Sequence, residues 1–217
     1  MKLYIVATNI HTGGGATLLG ALVRGVSIAG LSGVLFLDAR CRLETQIPEH
    51  LIVIKVRPTV YHRLRVEYWL RRRVRKEDCV LCLGNLPPLL LLPGRVVVFL
   101  QNRYLVEKVS LSEFKLKSGM RILLERLWLA VRISHAQSVV VQTPTMRRLV
   151  RRRWRIPVSV SPFVDKTAGY HRQAGLAEGQ VAAPFDFLYV ADGQPHKNHR
   201  NLIRAWVLLA KEGIRPL

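Results

Sequence analysis

The chain is built on short, uninterrupted apolar runs, each closed by a turn and most followed by a stretch of helical period. LYIVA (3–7), GVLFLDA (33–39), LIVIKV (51–56) and VVVFL (96–100) show almost no alternation of apolar and polar residues. A strand that reads this way is buried on both faces, as in a parallel sheet covered by helices. CVLCL (79–83), SVVV (138–141) and VSVS (158–161) extend the series. Strands and helices therefore alternate from residue 1 to about 165, which predicts an α/β, doubly wound, mostly parallel sheet with helices on both faces.

The helical segments differ in character. At 60–76, VYHRLRVEYWLRRRVRK repeats Val66, Leu70 and Val74 every four residues with Trp69 beside them, and Arg63, Glu67, Arg71 and Arg75 on another face. Such a basic amphipathic helix suits an anionic membrane surface, a solvated face or, last, nucleic acid. The expected lipid contacts are Arg63, Trp69, Arg71 and Arg75. At 117–132, Met120, Leu123, Leu124, Leu127 and Val131 share one face. Thr143 and Pro144 supply the cap and first residue of a further, very basic helix.

Charge narrows the partners. Lys and Arg number 34 against 14 Asp and Glu, a formal net charge of +20. Anionic partners follow: phosphorylated substrates, anionic head groups or nucleic acid. Nothing resembles a nucleic-acid module, neither zinc spacing nor an RNA-recognition aromatic motif nor heptads. Three cysteines make no even disulfide framework and suggest a reducing compartment. Cys79 and Cys82 form a C-x-x-C, but on a strand they point to opposite faces and read as structural. The leucine-rich stretch 80–101 contains Pro87, Pro88 and Pro93, which argues for strand, loop and strand over a spanning helix. No signal peptide is read at the start, so the expected location is cytoplasmic, with peripheral contact at the inner face of the membrane.

Two places suit an anionic ligand. After the first strand, Gly13, Gly14 and Gly15 precede a helix read at 16–29, where backbone N–H groups approach a ligand closely. Gly13 and Gly15 match a dinucleotide fingerprint, but Leu18 stands where its third glycine belongs, which weakens an NAD(P) reading. Asp38, at the end of the second strand, suits either a ribose hydroxyl or an ordinary turn. After the fifth strand, Gln101, Asn102, Arg103 and Tyr104 would face the same cleft. The second place lies at 185–206, FDFLYVADGQPHKNHRNLIRAW. A strand at 187–190 feeds, through a turn, a helix whose face carries Leu202, Ile203, Trp206 and Leu209. His196, Lys197, His199 and Arg200 crowd its start, where the helix dipole disfavours cations unless an anion lies between.

The string YVADGQPHKNHRNLIRAW resembles the start of the second domain in retaining glycosyltransferases of family 4, which have the GT-B fold. The resemblance implies that Lys197, at the helix opening with Asn198, contacts the diphosphate of a nucleotide-sugar donor. Many members carry a Gly-Arg pair where this chain has Ala191 and Asp192. Gly13, Gly14 and Gly15 match the family's glycine-rich loop, and His11, Asn102, Arg103 and His196 become cleft candidates. A donor-sugar His of many members is replaced here by Gln101 and Asn102. Ser161, Pro162, Phe163, Val164 and Asp165 resemble the segment that hands the first domain over to the second.

The implied organisation is a Rossmann-like acceptor-side domain at 1–165, a linker at 166–184 and the first β–α unit of a donor-binding domain at 185–217. One such unit cannot bury a core, so the chain is expected to continue, with the family's acidic motif beyond Leu217. The implied reaction moves a sugar to an acceptor hydroxyl with retention, usually without metal and with no cofactor besides the donor. A glycan or lipid-linked acceptor, in surface polysaccharide or glycolipid assembly, fits. No catalytic base is assigned. A non-catalytic basic module for membrane or nucleic acid, and an NAD(P)-dependent enzyme, remain as alternatives.

Overall fold

The computed structural model describes residues 1–107, 114, 116–162, 189 and 198–214. The chain divides into two compact units, Met1–Lys166 and Thr167–Leu217.

The first unit contains β1 (Leu3–Ala7), β2 (Gly33–Asp38), β3 (Leu51–Val56), β4 (Cys79–Cys82), β5 (Arg95–Phe99), β6 (Ser138–Val141) and β7 (Val158–Val160). They form one sheet in the order β3-β2-β1-β4-β5-β6-β7. Every pair is parallel. Four helices accompany it: α1 (Gly13–Ile28), α2 (Val60–Arg73), α3 (Leu116–Arg132) and α4 (Pro144–Arg153). The architecture is the α/β, doubly wound, Rossmann-like one that the apolar runs predict.

Handedness distributes the helices. The chain winds outward from β1 to β3, then returns past β1 and winds the other way from β4 to β7. Right-handed crossovers then place α1 on one face and α2, α3 and α4 on the other. The two cores agree. Leu19, Val23 and Val26 of α1 pack with Ile5, Leu35 and Leu37. Val66 and Leu70 of α2, Ile122 and Leu129 of α3, and Met146 and Val150 of α4 pack with Tyr4, Phe36, Val80 and Val98. Fully buried side chains such as Ile5 and Leu35 contribute about 1.5–3 kcal/mol each.

No helix joins β4 to β5. Polar groups of three side chains hold that loop instead. Glu67 accepts the N–H groups of Leu89 (2.7 Å) and Leu90 (3.1 Å). Trp128 Nε1 donates to the carbonyl of Pro87 at 2.9 Å, and His135 Nδ1 lies 3.0 Å from that of Pro88.

This corrects the reading of α2. Its 63, 67, 71, 75 stripe is not one solvated face. Glu67 is buried, Arg63 lies over the Trp128 ring at 4.3 Å, and Trp69 packs edge-on against Tyr4 and Phe36. Of the four expected lipid contacts, Arg71 and Arg75 are exposed while Arg63 and Trp69 are drawn into the fold. The aliphatic row Val66, Leu70, Val74 does face the core.

Helix α3 departs further from expectation. Its regular apolar face, Met120, Leu123, Leu124, Leu127 and Val131, is exposed, and Ile122 and Leu129 are its buried apolar side chains. Helix α1 begins three residues earlier than its period suggests, because the three glycines form its first turn. Cys79 and Cys82 are free and lie on opposite faces of β4. Cys82 belongs to the core, and burial pushes its thiol up to about 12.

In the second unit, α5 (His199–Lys211) starts at Asn198, which adopts a left-handed backbone with φ of 60°. None of the residues of α5 is buried. The expected strand at 187–190 falls, apart from Tyr189, outside the described residues, as do His196 and Lys197.

Two stability predictions follow from the sheet. A Cβ on Gly33 would collide with the carbonyl oxygen of Leu3 inside the β1–β2 ladder, so Gly33→Ala should cost about 2–4 kcal/mol in urea unfolding. A cost under about 0.5 kcal/mol would contradict the register. At the same end of β1, Asp78 accepts the amides of Lys2 (2.7 Å) and Arg75 (2.9 Å). Burial alone would raise its pKa, but these hydrogen bonds outweigh it and the net shift is downward. The stability it supplies is complete above the ordinary carboxylate value of about 4 and is lost as pH falls through the depressed one. Asp78→Asn should therefore lower stability at neutral pH and flatten the acid limb of the stability curve.

Candidate functional site

Winding reverses between β1 and β4, which are neighbours in the sheet. In open α/β sheets the crevice outside the carboxyl ends of the strands at such a point receives the ligand. The segments leaving β1, β4 and β5 meet here, and short polar side chains tie them together. Asn9 Nδ2 donates to the carbonyl of Gly84 at 3.1 Å. The approach is so close that a Cβ on Gly84 would overlap the Asn9 amide. Asn85, in the left-handed region with φ of 68°, accepts the amides of Gln101 (2.7 Å) and Asn102 (3.0 Å) through Oδ1. Asn102 Oδ1 in turn accepts the amide of Tyr104 at 3.0 Å, capping the 3-10 turn Arg103–Leu105.

On the β1 side, α1 opens at Gly13 with φ of 63°. Its cap residue, Thr12, makes no side-chain capping bond, and its first turn carries no acid. The first N–H groups of a helix have no partner within it, and this end carries partial positive charge. No atom lies within 4 Å of a Cβ placed on Gly13 or Gly14, whereas one on Gly15 would press on Ile10 at 3.3 Å. A methyl group at position 15 would need Ile10 to give by a few tenths of an ångström, and one at position 14 meets open space. Beside this turn, His11 Nδ1 is buried with no hydrogen-bond partner among the described residues.

Asp38 closes the β2 side. Its carboxylate accepts the Arg40 amide (2.9 Å), Nε (3.0 Å) and Nη2 (2.8 Å). Burial would raise its pKa, but Arg40, with a smaller contribution from His11, holds it below the usual carboxylate range. The turn role is the one the structure displays. An acid so engaged is poorly placed to bind a ribose, which weighs against the NAD(P) alternative.

Among the expected cleft residues, the structure brings Asn102 into the network and sets His11 next to the glycine turn. Arg103 is paired with Glu107 at 2.6 and 2.7 Å. Asn198 begins α5, in the other unit. The asparagines that build the crevice, Asn9 and Asn85, were not anticipated. Their places after strand ends were legible, and the φ of 68° at Asn85 suits asparagine, but the distant groups that they bind were not. Among the described residues no cluster of three His, Cys, Asp or Glu side chains is arranged to hold a metal ion.

Fold and crevice define the class: a Rossmann-like α/β protein with an uncapped, glycine-opened helix start at the switch point. No family model matches the chain, and neither does any curated protein or solved structure.

Gly14→Ala separates ligand binding from packing. Alanine is the better helix former by up to about 1 kcal/mol, and its methyl group meets open space. Thermal stability should be unchanged or slightly higher, while affinity for any anion received at the glycine turn should fall. A variant that binds as the parent does would remove the glycine turn from the site.

Proposed function

We propose that the chain works in glycosyl transfer from a nucleotide-sugar to an acceptor hydroxyl, with the donor diphosphate received at the switch-point crevice. The observation that carries the reading is the start of α1, where Gly13, Gly14 and Gly15 present N–H groups with neither side-chain cap nor first-turn acid. In this chemistry, charge grows on the departing diphosphate, and fixed donors aimed at it lower the barrier. The resemblance of 189–206 to family 4 glycosyltransferases supports the same reading, and by that resemblance Lys197 and Asn198 are further candidates for donor contact. His11, whose Nδ1 beside the glycines has no partner among the described residues, has hydrogen-bonding capacity to spare. The acceptor is a glycan or a lipid-linked glycan, and the reaction belongs to surface polysaccharide or glycolipid assembly.

Calorimetric titration with a panel of nucleoside diphosphates tests this. Lys197→Ala should weaken binding about tenfold, since one charged hydrogen bond contributes about 1.5 kcal/mol. The thermal midpoint should not move. Equal affinities for parent and variant, or no diphosphate binding by the parent, would overturn the proposal.

A further inference from the structure

Helices α2, α3 and α4 cover one face of the sheet, and their outward surfaces differ from those of an ordinary helix layer. On α3, Leu116, Met120, Leu123, Leu124, Leu127 and Val131 are between 50% and 83% exposed. Their spacing of three and four residues makes one continuous stripe, turned away from the buried Ile122 and Leu129. A stripe this regular is rare on a water-facing surface, where exposed apolar residues are normally scattered.

Arginines flank it. Helix α2 carries Arg63, Arg65, Arg71, Arg72 and Arg73 against Glu67 alone, and α4 carries Arg147, Arg148, Arg151, Arg152 and Arg153 with no acid. Of these, Arg65, Arg71, Arg72, Arg73, Arg148, Arg151, Arg152 and Arg153 are exposed. Glu67 of α2 lies beside Arg63, and Glu125 of α3 beside Arg121. On α2, Tyr61 and Tyr68 are exposed, with Arg65 and Arg72 lying over their rings at 5.8 and 4.4 Å. Amphipathic rings and arginines at this level are what a lipid head-group region accommodates.

We propose that this helix layer docks on an anionic lipid bilayer, with the α3 stripe entering the boundary between head groups and acyl chains. The arginines of α2 and α4 meet lipid phosphates on either side. No described helix is long and apolar enough to cross a membrane, and α3 carries Lys117, Arg121, Arg126 and Arg132, so it lies in the plane of the interface. Charge decides against the other occupants. A second copy would set arginine flank against arginine flank. A nucleic acid would satisfy the arginines but leave six apolar side chains against phosphodiesters. The inference rests on this surface alone and not on the transferase reading.

Vesicle sedimentation with the whole chain tests it. Parent protein should pellet with phosphatidylcholine vesicles carrying about one third phosphatidylglycerol and stay in solution with phosphatidylcholine alone. The double variant Leu123→Asp/Leu127→Asp should lose at least about tenfold in partitioning with an unchanged melting curve, because both side chains are exposed. Arg148→Glu/Arg152→Glu should lose more than about fivefold per arginine. Leu124→Trp should show a blue-shifted emission when anionic vesicles are added. Four results would each overturn the proposal: no binding to anionic vesicles, equal binding to neutral ones, binding indifferent to the leucine variant, or a lipid-free dimer that Leu123→Asp/Leu127→Asp converts to monomer.

Discussion

Strand β1 is paired in parallel on both edges, with β2 on one side and β4 on the other, and the rest of the first unit depends on that double pairing. Tyr4, Ile5 and Ala7 are buried in it, which requires helices on both faces of the sheet. Because crossovers are right-handed, the same strand becomes the axis at which winding reverses. A crevice at its carboxyl end follows, since the segments leaving β1 and β4 must separate toward opposite faces. The site is therefore a consequence of topology before any particular side chain is considered. Asn9, Gly84 and Asn85 then set its shape, and the glycine turn opening α1 sets its charge preference.

The two faces of the sheet serve different ends. Helix α1 covers one face and aims its positive end at the crevice. Helices α2, α3 and α4 cover the other and carry the exposed arginine runs 71–73 and 151–153. If both proposals hold, one layer fixes the donor side of the reaction and the opposite layer fixes the protein to the surface where a lipid-linked acceptor resides. Each stands on separate observations, so the failure of one leaves the other in place.

The strands were legible because two-sided burial writes itself as unbroken apolar runs, as in LYIVA and GVLFLD. The interior of α2 was legible for a similar reason, its Val66, Leu70 and Val74 repeating at helical spacing. What periodicity cannot state is which way a face points. On α3 the most regular apolar stripe faces water, while the buried side is a less regular set including Gly119, Ile122 and Leu129. A charge pattern misleads in the same way: Glu67 sits in a stripe of arginines, yet its carboxylate is spent on two loop amides that lie 22 and 23 residues further on. The asparagine links of the crevice are contacts between residues far apart in the chain, and no local pattern encodes them. Nor does period locate the start of α1, since glycine carries no side chain to count.

Amide hydrogen exchange with and without a nucleoside diphosphate tests the central claim, that the switch-point crevice is an anion site. The account predicts protection focused on the amides of residues 12–16, with weaker effects at 84–85 and 101–104. Protection elsewhere with none at Gly13, Gly14 and Gly15 would contradict it.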